Sequence, residues 1–170
     1  MRKNNKGMSY VELLLVLAIM AILVAVASLT IGLISRTNVN RGAEKLVSAI
    51  NLARSTSMAR GRSDGALEIT YDGDNYYYYI GNVSAANKDD LKVEFLSSPA
   101  TVTYATAAAP ANQVPFTRLI INFDQSSGKI VACFDQSANV IICDNITLSN
   151  GDKTATIKVY PATGKCDLVY

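Results

Sequence analysis

The chain contains neither histidine nor tryptophan. Without histidine there can be no Ser–His–Asp triad, no histidine-ligated haem and no HExxH metal site. Proline is scarce, at 4 of 170 residues, and glycine stands at 10, which excludes collagen-like and Pro/Gly-rich low-complexity chains. Charge is thin as well: 18% of residues are charged, against roughly 25% in an ordinary globular domain, while 49% are hydrophobic. Such a composition argues against disorder, and 170 residues suffice to bury one core. There is no P-loop and no GxGxxG, and no nucleophile has a recognisable base, so the chain reads as no enzyme and as needing no cofactor.

What is present is unevenly spread. Residues 13–34 read LLLVLAIMAILVAVASLTIGLI, 22 positions without a charge. A bilayer core about 30 Å thick needs ~20 such residues in a helix, so the run has the length of a span. The net charge of +2 conceals a division. Arg2, Lys3 and Lys6 give the first six residues +3; in 36–62, six basic residues against Glu44 leave +5; in 63–170, seven basic against twelve acidic leave −5. A basic start before an apolar span sets the N-terminus in the cytoplasm. A secretory signal peptide would carry a shorter apolar stretch of ~7–15 residues. It would also have no use for an acid at the mouth of that stretch, where Glu12 sits. A carboxylate at the edge of a membrane helix costs free energy unless neutralised.

The junction reads Lys6-Gly7-Met8-Ser9-Tyr10-Val11-Glu12, followed by the apolar run. It resembles the class III signal of type IV prepilins and pseudopilins: a short basic leader ending in Gly, an apolar residue, Ser or Thr, two apolar residues, then Glu. The resemblance implies cutting between Gly7 and Met8 by a prepilin peptidase, N-methylation of Met8, and pairing of Glu12 with the amine of an adjacent subunit in a filament. An unpaired carboxylate in an apolar core is costly, so that pair would select register. Met8 stands where Phe is usual, and Ala21 and Leu29 stand where many members have Gly and Pro. The stretch AEKLVSAINLARSTSMARGR (43–62) is similar to the helix end of H-type minor pseudopilins and related minor pilins.

Beyond the apolar run, Val39, Ala43, Leu46, Val47, Ile50, Ala53 and Ser57 recur at helical steps, with Arg41, Lys45, Arg54 and Arg60 off that face. Gly61 reads as the C-cap, and a helix from about 9 to 60 is expected. Gly42 weakens it by about 1 kcal/mol against Ala. Strands are expected at Leu67–Asp72, Tyr76–Val83, Leu91–Leu96, Thr101–Thr106, Phe116–Asp124, Lys129–Asp135, Val140–Leu148, Thr154–Tyr160 and Lys165–Val169, with 107–115 a loop broken by Pro110 and Pro115. Of the four consecutive tyrosines at 76–79, alternation buries two and displays two. The fold class is α+β: a long N-terminal helix, its hydrophobic half protruding and its amphipathic half packed on a mainly antiparallel sheet. The divisions are 1–7, a cleaved leader; 8–35, a transmembrane or filament-core helix; 36–62, an amphipathic helix continuing into the head; and 63–170, a β-rich pilin head.

Cys133, Cys143 and Cys166 all lie in the outward part. With a turn at 136–139, Cys133 and Cys143 fall within one residue of register, and a disulfide between them suits an exported domain. The other two pairings stay open. Three thiolates can also hold zinc, but no CxxC and no His accompany them, so no metal site is expected; as three buried small hydrophobes they need no partner.

Three functions remain. The first is a minor structural subunit of a type IV pilus or type II secretion-like pseudopilus, assembled with other pilins through its helix. It would be a single-pass cytoplasmic-membrane protein before assembly and part of a cell-surface filament after it. The second is a DNA-binding minor pilin of a competence or DNA-uptake system, with Arg54, Arg60 and Arg62 on phosphates. The acidic remainder opposes long-range attraction of DNA. The third is an uncleaved membrane-anchored binding domain, which leaves Gly7 and Glu12 unexplained.

Overall fold

The computed structural model describes residues 9–81, 91–97, 99–106, 109–151 and 153–169, without the side chains of 26–37 and of Pro110. Within these residues lie one long helix, α1 (Tyr10–Arg60), and eleven strands. The chain divides into two compact units, residues 1–35 and 36–170.

In the first unit, α1 opens on a cap that its own sequence supplies. Ser9 precedes the helix and its carbonyl accepts the first helical bond, from the Leu13 N–H at 3.1 Å. Three residues on, the Glu12 carboxylate accepts the Ser9 N–H at 3.4 Å. Ser-x-x-Glu is the capping-box spacing, in which the acid satisfies a donor that the helix leaves unpaired. The turns that follow are apolar on every side, and the side chains from Tyr10 to Ala25 are exposed. Among the described residues no helix is long and apolar enough to cross a membrane. The side chains of the second half of the 13–34 run lie outside the described residues.

In the second unit, the helix becomes amphipathic. Val39, Ala43, Leu46, Ile50, Ala53 and Ser57 are buried, at steps of three or four, while Arg41, Lys45 and Arg60 are exposed. Each fully buried Leu or Ile here contributes about 1.5–3 kcal/mol relative to exposure. Gly42 belongs to this face for a steric reason: a Cβ there would sit 2.7 Å from the Phe95 carbonyl oxygen. Gly61 ends the helix at φ +118°, its N–H bonded to the Ser57 carbonyl at 3.0 Å.

The strands are β1 (Leu67–Tyr71), β2 (Asn75–Ile80), β3 (Val93–Ser97), β4 (Thr101–Thr106), β5 (Ala109–Pro115), β6 (Arg118–Phe123), β7 (Ile130–Phe134), β8 (Val140–Ile141), β9 (Cys143–Asn150), β10 (Lys153–Tyr160) and β11 (Lys165–Val169). They form a six-stranded sheet, β3-β2-β1-β6-β7-β8, and a five-stranded one, β11-β10-β9-β4-β5. Every pairing is antiparallel. The α+β class therefore holds, with two sheets in place of one. Leu67, Ile69, Leu119, Ile121, Phe123 and Cys133 from the first sheet join Val102, Ile146, Leu148, Ile157 and Val159 from the second in one core with the helix face.

The β1–β2 hairpin forms where expected, with Tyr71 opposite Tyr76. Asp72 makes the turn: its Oδ1 accepts the N–H groups of Asp74 (3.1 Å) and Asn75 (2.9 Å). These bonds hold the Asp72 carboxyl below its ordinary pKa. Three expectations are corrected. Residues 109–115 are strand, not loop; β5 is an edge strand, where a missing proline N–H breaks no ladder. Val140–Leu148 is not one strand: it breaks at Ile142, β8 lying in the first sheet and β9 in the second. Two of the four tyrosines are buried, as expected, but not alternate ones: Tyr76 is 5% and Tyr79 8% exposed, and Tyr77 and Tyr78 are half-buried rather than displayed. Residues 82–83, the end of one expected strand, lie outside the described residues.

Candidate functional site

Two places gather the residues singled out above: the start of α1, and its last turns. At the start, Gly7 and Met8 lie outside the described residues. Glu12 is exposed in the first helical turn and holds the Ser9 N–H. Negative charge in that turn also suits the helix dipole. The capping role was missed in reading the sequence, although Ser9-x-x-Glu12 carries its spacing.

At the last turns, the three arginines do not converge. Arg60 and Arg62 are exposed; Arg54 is half-buried. The Arg54 Nε–H is shared between two backbone carbonyls, Gly128 at 3.1 Å and Thr163 at 3.0 Å. Gly128 closes the β6–β7 turn of the first sheet, and Thr163 lies in the β10–β11 turn of the second. One side chain thus ties a turn of each sheet to the helix. Both turns need glycine. Gly128 and Gly164 have φ of +67° and +65°, and a Cβ on Gly164 would lie 1.9 Å from the Gly128 oxygen. Ile130 adds a further link, its N–H bonding the Pro161 carbonyl at 2.9 Å.

The β6–β7 turn is shaped by Asp124. Its Oδ2 accepts from the Ser126 hydroxyl (2.6 Å), the Ser127 hydroxyl (2.7 Å) and the Ser127 N–H (3.1 Å). The two hydroxyls above all hold its carboxyl down at about 2. Three residues beyond Arg54 on the helix, the buried Ser57 hydroxyl donates to the Phe123 carbonyl at 3.0 Å. Gly65 passes so close that a Cβ on it would lie 2.2 Å from the Ser57 nitrogen.

The exposed basic side chains of the helix are interleaved with acids. A cleft of about 370 Å³ is lined by Arg41, Glu44, Lys45, Ser48 and Tyr78. A neighbouring one of about 270 Å³ is bordered by Arg41, Lys45 and Glu94. Lys45 donates to the Glu94 carbonyl at 3.2 Å. The result is a surface of mixed sign.

Cys133, Cys143 and Cys166 are buried free thiols. Burial raises all three: Cys133 to about 11, Cys166 to about 11, and Cys143 well above its ordinary value. The Cys133 thiol meets the backbone of Cys143, while the Cys166 thiol lies 3.9 Å from the Val47 carbonyl. Among the described residues no group of three His, Cys, Asp or Glu side chains is placed to hold a metal.

Residues 2–28 match a family model described as the prokaryotic N-terminal methylation motif, the class III prepilin signal of type IV pilin-like proteins. The match covers Gly7, Met8 and Glu12 and stops before the head. No curated protein and no solved structure matches the chain.

Proposed function

We propose that the chain is a minor structural subunit of a type IV pilus or a type II secretion-like pseudopilus. A prepilin peptidase cuts between Gly7 and Met8, Met8 is N-methylated, and the helix joins those of other pilins in a filament. The observation that supports this reading is the methylation motif over residues 2–28, a stretch whose sequence has Gly7-Met8 ahead of Glu12 and a long apolar run. Before assembly the run 13–34 anchors the chain in the cytoplasmic membrane with its N-terminus inside; afterwards the head stands on the cell-surface filament. The likeness of residues 43–62 to H-type pseudopilins favours the minor role. The chain has no catalysis of its own in this reading.

The head serves this role as a rigid body. Helix, first sheet and second sheet share one core and one clamp at Arg54, so a force on the helix is passed to both sheets. The DNA-capturing alternative has less support. Arg54 is engaged with two carbonyls, leaving Arg60 and Arg62 as the exposed basic pair at the helix end.

The deciding experiment is the intact mass of the chain from producing cells, with and without the peptidase. A form beginning at Met8 and carrying one added methyl, found only with the peptidase, is the expected result. A full-length chain in both strains would overturn the reading in favour of an uncleaved anchored domain. A salt-dependent mobility-shift assay with duplex DNA tests the competence alternative; no shift at low salt is expected.

A further inference from the structure

Along the strands the chain changes sheets three times, from β3 to β4, from β5 to β6 and from β8 to β9, and the third change is made through a single residue, Ile142. Cys133 and Cys143 flank this crossing. On β7, Cys133 pairs with Ile121 on one side and with Ile141 on the other, and Cys143 follows Ile141 by two residues across the change of sheet. Cys143 opens β9, opposite Thr106 of β4 in the other sheet. Both side chains are 0% exposed, share the core, and meet where the Cys133 thiol touches the Cys143 backbone.

Cys166 is placed differently. It pairs with Val159 of β10, and β10 separates β11 from β9. Neighbouring strands are about 4.8 Å apart, so Cys166 stands roughly 9.6 Å across the sheet from β9. Two cysteines more than about 7 Å apart at Cα cannot be bridged without moving backbone. Its thiol faces the helix instead, at Val47.

We propose that Cys133 and Cys143 form a disulfide that staples the two sheets together at the β8–β9 crossing, while Cys166 remains a thiol. The bond forms by exchange with an oxidised dithiol carrier. One cysteine thiolate attacks the carrier disulfide to give a mixed disulfide, and the second cysteine displaces the carrier. The two cysteines lose two protons and two electrons, and the carrier leaves as a dithiol. The step belongs to the folding chain, because sealing the core suppresses both thiolates. The proposal rests on the reading that the head leaves the cytoplasm, where thiols are kept reduced.

The test uses the full chain in detergent micelles, unfolded and reduced, then refolded with reduced and oxidised glutathione. After acid quenching, the protein is denatured, alkylated and weighed. One adduct is expected, together with a linked peptide pair containing Cys133 and Cys143. Cys166→Ser should give no adduct and keep the link, and Cys143→Ser should give two adducts. Three adducts on the wild-type chain, or a link through Cys166, would overturn the geometry.

The same count on protein taken from cells reads the N-terminus in the same spectrum. One adduct there, with the leader removed, supports the proposal. Three adducts on a processed chain overturn the disulfide alone. Three adducts on an unprocessed chain overturn the pilin reading together with the disulfide.

Discussion

Replacing Gly164 with alanine tests whether the helix and both sheets are locked at one point. Two costs arise. The first is conformational: alanine at φ +65° costs about 1–2 kcal/mol, offset by about 0.4–1 kcal/mol because the unfolded chain loses freedom. The second is steric: the new Cβ would lie 1.9 Å from the Gly128 oxygen, so the β6–β7 turn must move and its carbonyl leaves Arg54. A hydrogen bond to a charged group contributes about 1.5–3 kcal/mol. Together the loss is about 2–4 kcal/mol. Gly151 supplies the control, since its φ is +61° but a Cβ there meets nothing within 4 Å. Gly151→Ala should cost about 1 kcal/mol or less by the conformational term alone. The assay is urea unfolding of the full chain in detergent, followed by tyrosine fluorescence, which no tryptophan masks. If both variants lose the same stability, the close approach of the two turns is not what Gly164 is for.

Three further outcomes are expected. Ser57→Ala removes the buried donor to the Phe123 carbonyl and should cost about 1–2 kcal/mol in the same unfolding assay, with no effect on leader removal. Asp124 sits at about 2, below its ordinary 3.8, so its stabilising contribution is complete above that ordinary value and is lost as pH falls toward 2. A carboxyl NMR titration should show this low midpoint, and Asp124→Asn should flatten the stability profile across the same interval. Glu12→Gln keeps an acceptor for the Ser9 N–H, whereas Glu12→Ala does not. Both should be processed at Gly7 and both should fail to enter filaments, because neither carries the charge; assembly by the glutamine variant would reduce Glu12 to a helix cap.

The helix, its amphipathic face and its Gly61 stop were legible because apolar spacing and a positive-φ cap are local features. So was the β1–β2 hairpin, whose Asp72-Gly73-Asp74 turn carries its own donors and acceptors. What escaped was non-local. Nothing near Ile142 in sequence says that the chain changes sheets there, since alternation looks the same within either sheet. Pro110 and Pro115 signal a break, yet an edge strand accepts both. Gly42 looked like a weak point and is a contact point, a difference visible only once Phe95 lies against it. Which carbonyls Arg54 meets was not legible either, because they lie 74 and 109 positions away.

Those two separations also fix when the head can be finished. Protein synthesis delivers Arg54 first, Gly128 74 residues later and Thr163 109 residues later. Until the β10–β11 hairpin arrives, the Arg54 Nε–H has one of its two carbonyls, that of Gly128, and β10 lacks the β11 partner along its edge. Contacts of such range close slowly, after the local ones. A chain cut short before Thr163 can wind its helix and pair its early strands, but it cannot close the lock. Closure at Arg54 is thereby a report, read at a single side chain, that the chain has been delivered through the β10–β11 turn.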